Sequence, residues 1–167
     1  HARFNEAISS GHLLFFKSKV YKVTDQGRPF YVRFCPGLAK KESNDFSITN
    51  HNPFLPYDQN LLIEKLETTG HVLLFNKFSL VTPHVLLITD TFQLQDKTCT
   101  REDFEAVGAF YERYGDDFIM FYNCGPQSGA SQPHRHFQFI PDDDCGVPFL
   151  GKHAPCSAKD LFDNYMT

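Results

Sequence analysis

Two histidines and a glutamine occupy alternate positions in the segment SGASQPHRHFQFIP, residues 128–141. Successive side chains of an extended strand point to opposite faces, so His134, His136 and Gln138 are predicted to share one face. Phe137 and Phe139 would share the other face, where burial stabilises the fold by about 1.5 to 3 kcal/mol for each. A slip of one residue would bury both histidines, so the pattern predicts a fixed register with the polar row facing outward.

This polar row has residue types suited to phosphoryl chemistry. A histidine with an ordinary pKa of about 6.5 is mostly neutral at pH 7, so one ring nitrogen of His136 can attack phosphorus when the other is held as a donor. The attack divides one transfer into two displacements through a phosphoramidate. His134 would position a loop or the leaving group, and Gln138 would donate an uncharged hydrogen bond to a phosphate oxygen. A glutamine cannot protonate a leaving group or activate water as a third histidine could, so the row favours transfer over hydrolysis.

A loop rich in glycine and serine, NCGPQSGAS, precedes the polar row. Gly125 and Gly129 allow the backbone to approach a ligand closely, and Ser128 and Ser131 offer hydroxyl donors. The backbone N–H groups of such a loop can cradle a phosphate. The local cations that could add charge to a site for a small polyanion are Lys40, Lys41, Lys77 and Arg135.

Two other interpretations of the polar row stay open from the residues alone. Surface strands often carry polar side chains at alternate positions, so the row could be a solvated strand face. Two histidines with two further ligands could also bind a metal ion. A separate zinc site seeded by Cys145, His153 and Cys156 is a weaker hypothesis, because the spacing matches no common zinc-binding pattern.

The surrounding sequence predicts a single α+β domain, with a mainly antiparallel sheet and a long helix packed on it. The predicted strands lie in HLLFFKSKVYKV, RPFYVRFC, GHVLLFNKFSL, HVLLITDTF, DFIMFYNCG and RHFQFIP. The long helix lies in TREDFEAVGAFYERYG, with Thr100 as its N-cap, Asp103 at the capping-box position and Gly115 after its end. Shorter helices are predicted in ARFNEAISSG and SAKDLFDNY, and residues 36–60 are predicted to be loop, with NPFLPYD lying along the core.

Composition limits the class of protein. The 167 residues, 41% of them hydrophobic, are enough for one sizeable core. A net charge of −4 with scattered Lys and Arg argues against a nucleic-acid partner. No stretch approaches the roughly 18 apolar residues of a membrane span and no secretory signal is evident, so we expect a cytoplasmic protein with no membrane partner. The five cysteines contain no C-x-x-C pair and are expected to be reduced.

Over most of residues 7–141 the chain resembles the eukaryotic-type diadenosine tetraphosphate phosphorylases, also called ATP adenylyltransferases, in the transferase branch of the histidine-triad superfamily. The segments that carry the resemblance, in the family's order, are SGHLLFF, FYVRFCPGLAKKE, NPFLPYD, HVLLFNKFSLVTPHVLLIT and MFYNCGPQSGASQPHRHFQFIP. Galactose-1-phosphate uridylyltransferases share the H-x-H-x-Q pattern but lack the NPF and FNKF blocks. Histidine-triad hydrolases carry a third histidine where this chain has Gln138.

The resemblance implies a histidine-triad-like fold and phosphorolysis of diadenosine tetraphosphate, in which phosphate and the dinucleotide give ATP and ADP. His136 would carry the adenylyl group and Gln138 would contact the transferred phosphate. No cofactor is implied, although a magnesium ion could arrive with the substrate. The positions that match the family's substrate-binding residues are Lys41, with Lys40 as its alternative, Asn76, Lys77, Asn123, Gly129, Ala130, Ser131 and Gln132.

One departure from the family concerns the end of the chain. Nothing after PDDDCGVPF resembles the family's C-terminal segment, so residues 1–167 are expected to form one histidine-triad-like nucleotidyltransferase domain that lacks it. Three other functions therefore stay open: a hydrolase of the same superfamily, a galactose-1-phosphate uridylyltransferase, and a nucleotide-binding module without turnover. Homodimers are common in this superfamily, but the sequence indicates no interface.

Overall fold

The computed structural model describes residues 2–37 and 52–142. The helices within these ranges are α1 (Ala2–Ser9) and α2 (Arg101–Tyr114), with a 3-10 turn at Pro126–Ser128. The strands within them are β1 (Leu14–Phe15), β2 (Lys19–Asp25), β3 (Arg28–Phe34), β4 (Leu62–Leu66), β5 (His71–Phe75), β6 (Phe78–Ser79), β7 (Val85–Thr89), β8 (Phe118–Phe121) and β9 (His136–Pro141). The helix predicted in SAKDLFDNY and the zinc hypothesis on Cys145, His153 and Cys156 lie outside the described residues.

A five-stranded antiparallel sheet in the order β4-β5-β7-β9-β8 forms the centre of the structure. Strand β9, which carries His136 and Gln138 of the polar row, therefore lies between two neighbours. Its register pairs His136 with Ile88 and Gln138 with Leu86 on β7, and Gln138 with Phe121 on β8. Strands β2 and β3 form a separate hairpin, and β1 pairs with β6 in parallel. The prediction of a mainly antiparallel sheet with helix packed on it is confirmed.

Helix α2 begins and ends at the residues that its sequence signals predict. The Thr100 hydroxyl accepts a hydrogen bond from the Asp103 amide at 3.3 Å, and the Asp103 carboxylate accepts one from the Thr100 amide at 2.7 Å. Gly115 follows with φ of 85°, which favours glycine. The helix packs on the sheet through Phe110, whose ring stacks on Phe139 with centroids 3.8 Å apart.

Apolar side chains cover both faces of the sheet. The larger core lies between the sheet and the two helices and includes Phe4, Leu73, Leu87, Val107, Phe110, Phe137 and Phe139. The smaller cluster on the opposite face consists of Phe54, Val72, Leu74, Leu86 and Ile88. Strands β5 and β7 are buried at every position, which explains their continuous apolar runs.

The prediction that the polar row faces outward is wrong. His134 is 0% exposed, His136 is 4% exposed and Gln138 is half-buried. The NPF segment covers the row. The centroid of the Phe54 ring lies 5.5 Å from that of His134 and 5.4 Å from that of His136. The predicted register itself is confirmed, since Phe137 is buried in the larger core on the other face. The row is therefore a covered polar face opposite the main core.

Two expectations from composition can be compared with the described part of the chain. Cys35, Cys99 and Cys124 are free thiols there, as predicted. Neither described helix is both long enough and apolar enough to pass through a bilayer.

Candidate active site

His136 has one ring nitrogen occupied and one available. Its Nδ1 lies 2.8 Å from the backbone oxygen of His134, so Nδ1–H donates there and the Nε2 lone pair stays free. No side chain or backbone group of the described residues hydrogen-bonds to this Nε2. Burial holds the pKa of the His136 ring below its ordinary value, so the ring is neutral at pH 7. A neutral imidazole with a fixed tautomer is the form that can act as a nucleophile.

His134 connects the polar row to the segment that covers it. Its Nε2–H donates to the Thr89 backbone oxygen at 2.9 Å, and its Nδ1 accepts from the Asn52 amide at 3.0 Å. The Asn52 side-chain oxygen in turn accepts from the Phe54 amide at 3.0 Å. Burial lowers the pKa of His134 to about 4, so it is neutral. Since both ring nitrogens are occupied, His134 has none free for a metal ion.

Gln138 is oriented by a neighbour that sequence reasoning missed. His84 lies immediately before β7, and its Nε2–H donates to the Gln138 side-chain oxygen at 2.9 Å. Its Nδ1 accepts from the Asn76 amide at 3.2 Å. Burial lowers the pKa of His84 to about 4, so the ring stays neutral, with one donor and one acceptor. This contact leaves the NH₂ group of Gln138 as the donor for a ligand oxygen.

The sequence analysis includes His84 only as the first residue of the predicted strand HVLLITDTF. No local signal in the sequence identifies it, because its contact with Gln138 depends on the pairing of β7 with β9. Asn76, predicted to contact nucleotide, also closes a local turn, because its side-chain oxygen accepts from the Phe78 amide at 3.0 Å. Asn76, His84 and Gln138 therefore form one chain of hydrogen bonds.

The predicted phosphate loop places Gly129 beside Asn123. Gly129 has φ of 86°, a conformation that favours glycine, and a Cβ there would lie 3.7 Å from the side-chain nitrogen of Asn123. The exposed side of the loop includes Ser131, while Gln132 is half-buried and Ala130 is buried. These residues form one short surface directly ahead of β9.

Backbone N–H groups of the loop differ in their availability. The amides of Ser128 and Ala130 both donate to the Gly125 oxygen at 3.2 Å, and that of Gly129 donates to the Pro126 oxygen at 3.0 Å. The amides of residues 131 and 132, which lie nearest to β9, make no hydrogen bond within the described residues. They are therefore available as donors to an anion.

The predicted cations have different environments. Lys77 is exposed, and its ammonium lies 6.0 Å from the Phe78 ring centroid. Lys41 and its alternative Lys40 lie outside the described residues. Arg135 as an anion-binding residue is wrong, because it is 3% exposed and its guanidinium donates to the Asp103 carboxylate at 2.7 Å.

A buried ionic cluster involves Arg135, the residue directly before β9. Asp103 joins Arg135 to His71, whose Nε2 is 3.0 Å from the other carboxylate oxygen. Burial alone would raise the pKa of Asp103, but the hydrogen bonds from His71 and from the Thr100 backbone and the charge of Arg135 outweigh it, so its pKa is below the ordinary value. The cluster ties the start of α2 to the residue between the two histidines.

The chain is similar to known proteins over most of its length. The chain matches the family described as Ap4A phosphorylase N-terminal domain over residues 1–150. It is 34% identical to diadenosine 5',5'''-P1,P4-tetraphosphate phosphorylase 2 of Saccharomyces cerevisiae, over 97% of this chain and 54% of the relative. It is 26% identical to Protein APA1 of the same yeast, over 96% of this chain and 53% of the relative.

Solved structures show the same similarity. The crystal structure of yeast Ap4A phosphorylase Apa2 matches with a TM-score of 0.73 and 32% identity, over 89% of this chain and 47% of that chain. The structure of the same enzyme in complex with Ap4A matches with a TM-score of 0.70 and 28% identity, over 92% of this chain and 57% of that chain. The chain thus spans about half the length of the curated relatives it matches.

Proposed function

Because the chain belongs to the Ap4A phosphorylase N-terminal domain family, we propose that it carries the nucleophile of a reversible phosphorolysis of diadenosine tetraphosphate to ATP and ADP. The observation that carries the proposal is the hydrogen bond from Nδ1 of His136 to the His134 oxygen at 2.8 Å, which leaves Nε2 as the free lone pair. The names of the yeast relative and of the Ap4A complex support the substrate.

The reaction consists of two displacements at the same phosphorus. In the first, Nε2 of His136 bonds to an α-phosphorus of the dinucleotide, the P–O bond to the remaining phosphates breaks, and ATP leaves. In the second, an oxygen of inorganic phosphate bonds to that phosphorus, the P–N bond breaks, and ADP leaves with the ring restored to neutrality. The positive charge on the adenylylated ring is stabilised by the same Nδ1–H bond to the His134 oxygen.

Gln138 is the proposed donor to an oxygen of the transferred phosphate. Its side-chain oxygen is held by His84, so its NH₂ group is left as the donor. A neutral amide cannot act as a proton donor for water-driven turnover. Asn76 is the proposed nucleotide contact on the same hydrogen-bond chain. One amide hydrogen and one oxygen lone pair of Asn76 remain for the ligand.

The phosphate chain is proposed to bind at the loop before β9. The unpaired amides of Ser131 and Gln132 and the side chain of Asn123 supply the neutral donors, with Gly129 and Ala130 shaping the backbone beside them. Lys77 and Lys41 supply positive charge. A magnesium ion carried by the substrate is compatible with this set, and no resident metal is part of the proposal.

The proposed intermediate can be trapped directly. The protein is incubated with diadenosine tetraphosphate labelled at its α-phosphates, quenched in base, and tested for protein-bound label that is stable in base and lost in acid. We expect wild type to be labelled and His136→Ala to lose the label. His12→Gln is the matched control, because His12 pairs with Asp58 at the partly exposed surface and should keep the label. Labelled His136→Ala would contradict the proposal.

Product analysis separates the alternatives. A hydrolase of the same superfamily would cleave the dinucleotide in phosphate-free buffer, whereas the proposed enzyme needs phosphate to complete turnover. A nucleotide-binding module would bind ATP in calorimetry and show neither label nor product.

A further inference from the structure

The backbone of His136 lies just beyond the end of a strand pairing. Strand β8 pairs with β9 only from Phe121 opposite Gln138 to Phe118 opposite Pro141. His136 therefore has no strand partner on that side for its own N–H and C=O. A buried peptide group without partners is costly, so some other group must satisfy it.

The side chain of Gln95 occupies this place. Its Oε1 accepts from the His136 N–H at 2.7 Å, and its Nε2 donates to the His136 oxygen at 3.1 Å. The same Nε2 donates to the Asn123 backbone oxygen at 2.8 Å. A primary amide has one acceptor and two donors, so a single side chain satisfies all three groups. Gln95 thereby links the histidine strand to the start of the phosphate loop.

Gln95 is itself held rigidly. Its side chain is 0% exposed, its amide donates to the Pro133 oxygen at 2.9 Å, and its own carbonyl accepts from the Tyr122 hydroxyl at 2.5 Å. The Tyr122 ring stacks on Phe137 with centroids 4.7 Å apart. Gln95 is therefore connected to the main core through Tyr122 and to β9 through the His136 backbone.

We propose that Gln95 is a positioning residue that fixes the His136 backbone and its distance from the Asn123 loop. The inference rests on the proposed role of His136 as nucleophile. Attack on phosphorus requires an in-line approach of the His136 ring. A small displacement of the backbone that carries this ring therefore slows the chemical step more than it weakens nucleotide binding. Gln95 itself need not touch the substrate.

Two substitutions disrupt the three hydrogen bonds of the Gln95 side chain in different ways. Gln95→Met keeps the approximate shape and loses every hydrogen bond. Gln95→Glu keeps the acceptor for the His136 N–H but sets a carboxylate oxygen against the backbone oxygens of His136 and Asn123. Thr100→Ala removes only the hydroxyl that caps α2 and that accepts from the Asp103 amide. It is the control for a general loss of stability, and both variants are measured at temperatures equally far below their own Tm.

The decisive measurement is the rate of adenylyl transfer to His136 in single-turnover experiments, beside the nucleotide Kd. We expect Gln95→Met to slow labelling by about tenfold to a hundredfold while the Kd changes by less than about threefold. Gln95→Glu should be slower still, and Thr100→Ala should label at nearly the wild-type rate. A Met variant within twofold of wild type, or a control that slows equally, would overturn the inference.

Amide hydrogen exchange keeps this test separate from the proposed function. In wild type the His136 N–H should be protected, and in Gln95→Met its exchange should accelerate by at least about tenfold while the Phe139 amide stays protected. If wild type is never labelled, the proposed function fails. In that case, unchanged exchange at His136 in the Met variant would show independently that Gln95 does not hold this backbone.

Discussion

In the proposed mechanism each side chain of the polar row must present one particular atom to the substrate: His136 its Nε2 and Gln138 its NH₂ group. His84 donates to the Gln138 side-chain oxygen, so the NH₂ group is left as the donor. His84 should therefore act through Gln138 and not on the substrate itself. This dependence can be measured.

A double-mutant cycle tests that dependence. Gln138→Ala removes a donor to the transferred phosphate and should lower kcat by about a hundredfold, in the range seen when one oxyanion donor is lost. His84→Ala leaves Gln138 free to rotate and should lower kcat by about tenfold. If His84 acts through Gln138, adding His84→Ala to Gln138→Ala should cost less than about twofold more. Steady-state rates that multiply in the double variant would contradict the relay.

Sequence reasoning at this scale succeeded where the contacts are local. The alternation of His and Phe predicted the register of β9, and the Gly and Ser run predicted the adjoining loop. It failed for the cover over His134 and for His84, because those contacts join residues 82 and 54 positions apart. Residue patterns of period two report which side chains share a face, but not what lies above that face.

At the scale of elements, helix α2 is held to the histidine strand by a buried carboxylate. Asp103 caps the helix and also binds Arg135 and His71. Its sequence neighbour Glu102 is exposed on the same first turn. The two acidic residues therefore provide a matched pair of substitutions.

Asp103→Asn should destabilise the fold by about 3 to 5 kcal/mol, because it removes the charge that compensates buried Arg135. Glu102→Gln should leave the free energy of unfolding close to that of wild type, because its side chain is exposed. Urea unfolding at pH 7.5 measures both. If both variants lost the same free energy of unfolding, the buried cluster would stabilise the fold no more than a surface charge on the first turn of α2 does.

The hairpin β2–β3 is exposed along most of its length, and every residue of β2 is exposed. Cross-strand partners on one of its faces include Tyr21 with Val32 and Val23 with Phe30, and all four are between 46% and 50% exposed. An isolated two-stranded ribbon has marginal stability in water. We expect its amides to exchange at least about a hundredfold faster than those of β5 and β7. Comparable protection in hydrogen-exchange measurements would show that this ribbon is stabilised by something other than its own pairing.

Elements with local signals were predicted well from sequence. The capping box and Gly115 located α2, and the segments HLLFFKSKVYKV and RPFYVRFC located the two strands of the hairpin. Arg135 was misjudged as an anion-binding side chain because its partner Asp103 is 32 positions away. The chain shows a charge at position 135, but only the packing of α2 behind β9 shows that the charge is neutralised.

At the scale of the whole molecule, strand order was beyond sequence reasoning. Strand β9 pairs with β7 across a separation that includes all of α2 and β8. Apolar runs identify the central strands without stating which are neighbours. Yet this order places three buried neutral histidines on one side of the sheet, and it gives the fold a pH dependence.

That dependence has a definite sign. His84 and His134 have a pKa of about 4 in the folded protein because burial disfavours the charged ring, and the pKa of His136 is also lowered. The unfolded chain, with histidines near pKa 6.5, binds more protons between these values. The stability that the neutral rings contribute is therefore fully present above about pH 6.5 and is lost as pH falls toward 4. Asp103, whose pKa is also lowered, loses its contribution only at lower pH, below about 3.8.

Urea unfolding at pH 7.5 and pH 5.0 measures the effect. Between pH 7.5 and pH 5.0, the titration of each of His84 and His134 should lower the free energy of unfolding by about 2 kcal/mol. This figure follows from a pKa of about 4 in the folded protein and about 6.5 in the unfolded chain, at about 1.36 kcal/mol per pKa unit, and only part of the difference is expressed at pH 5. His84→Gln cannot titrate there, so its loss should be smaller than that of wild type by about 2 kcal/mol. If His84→Gln and wild type lose stability equally, proton uptake at the buried row does not control how the molecule responds to acid.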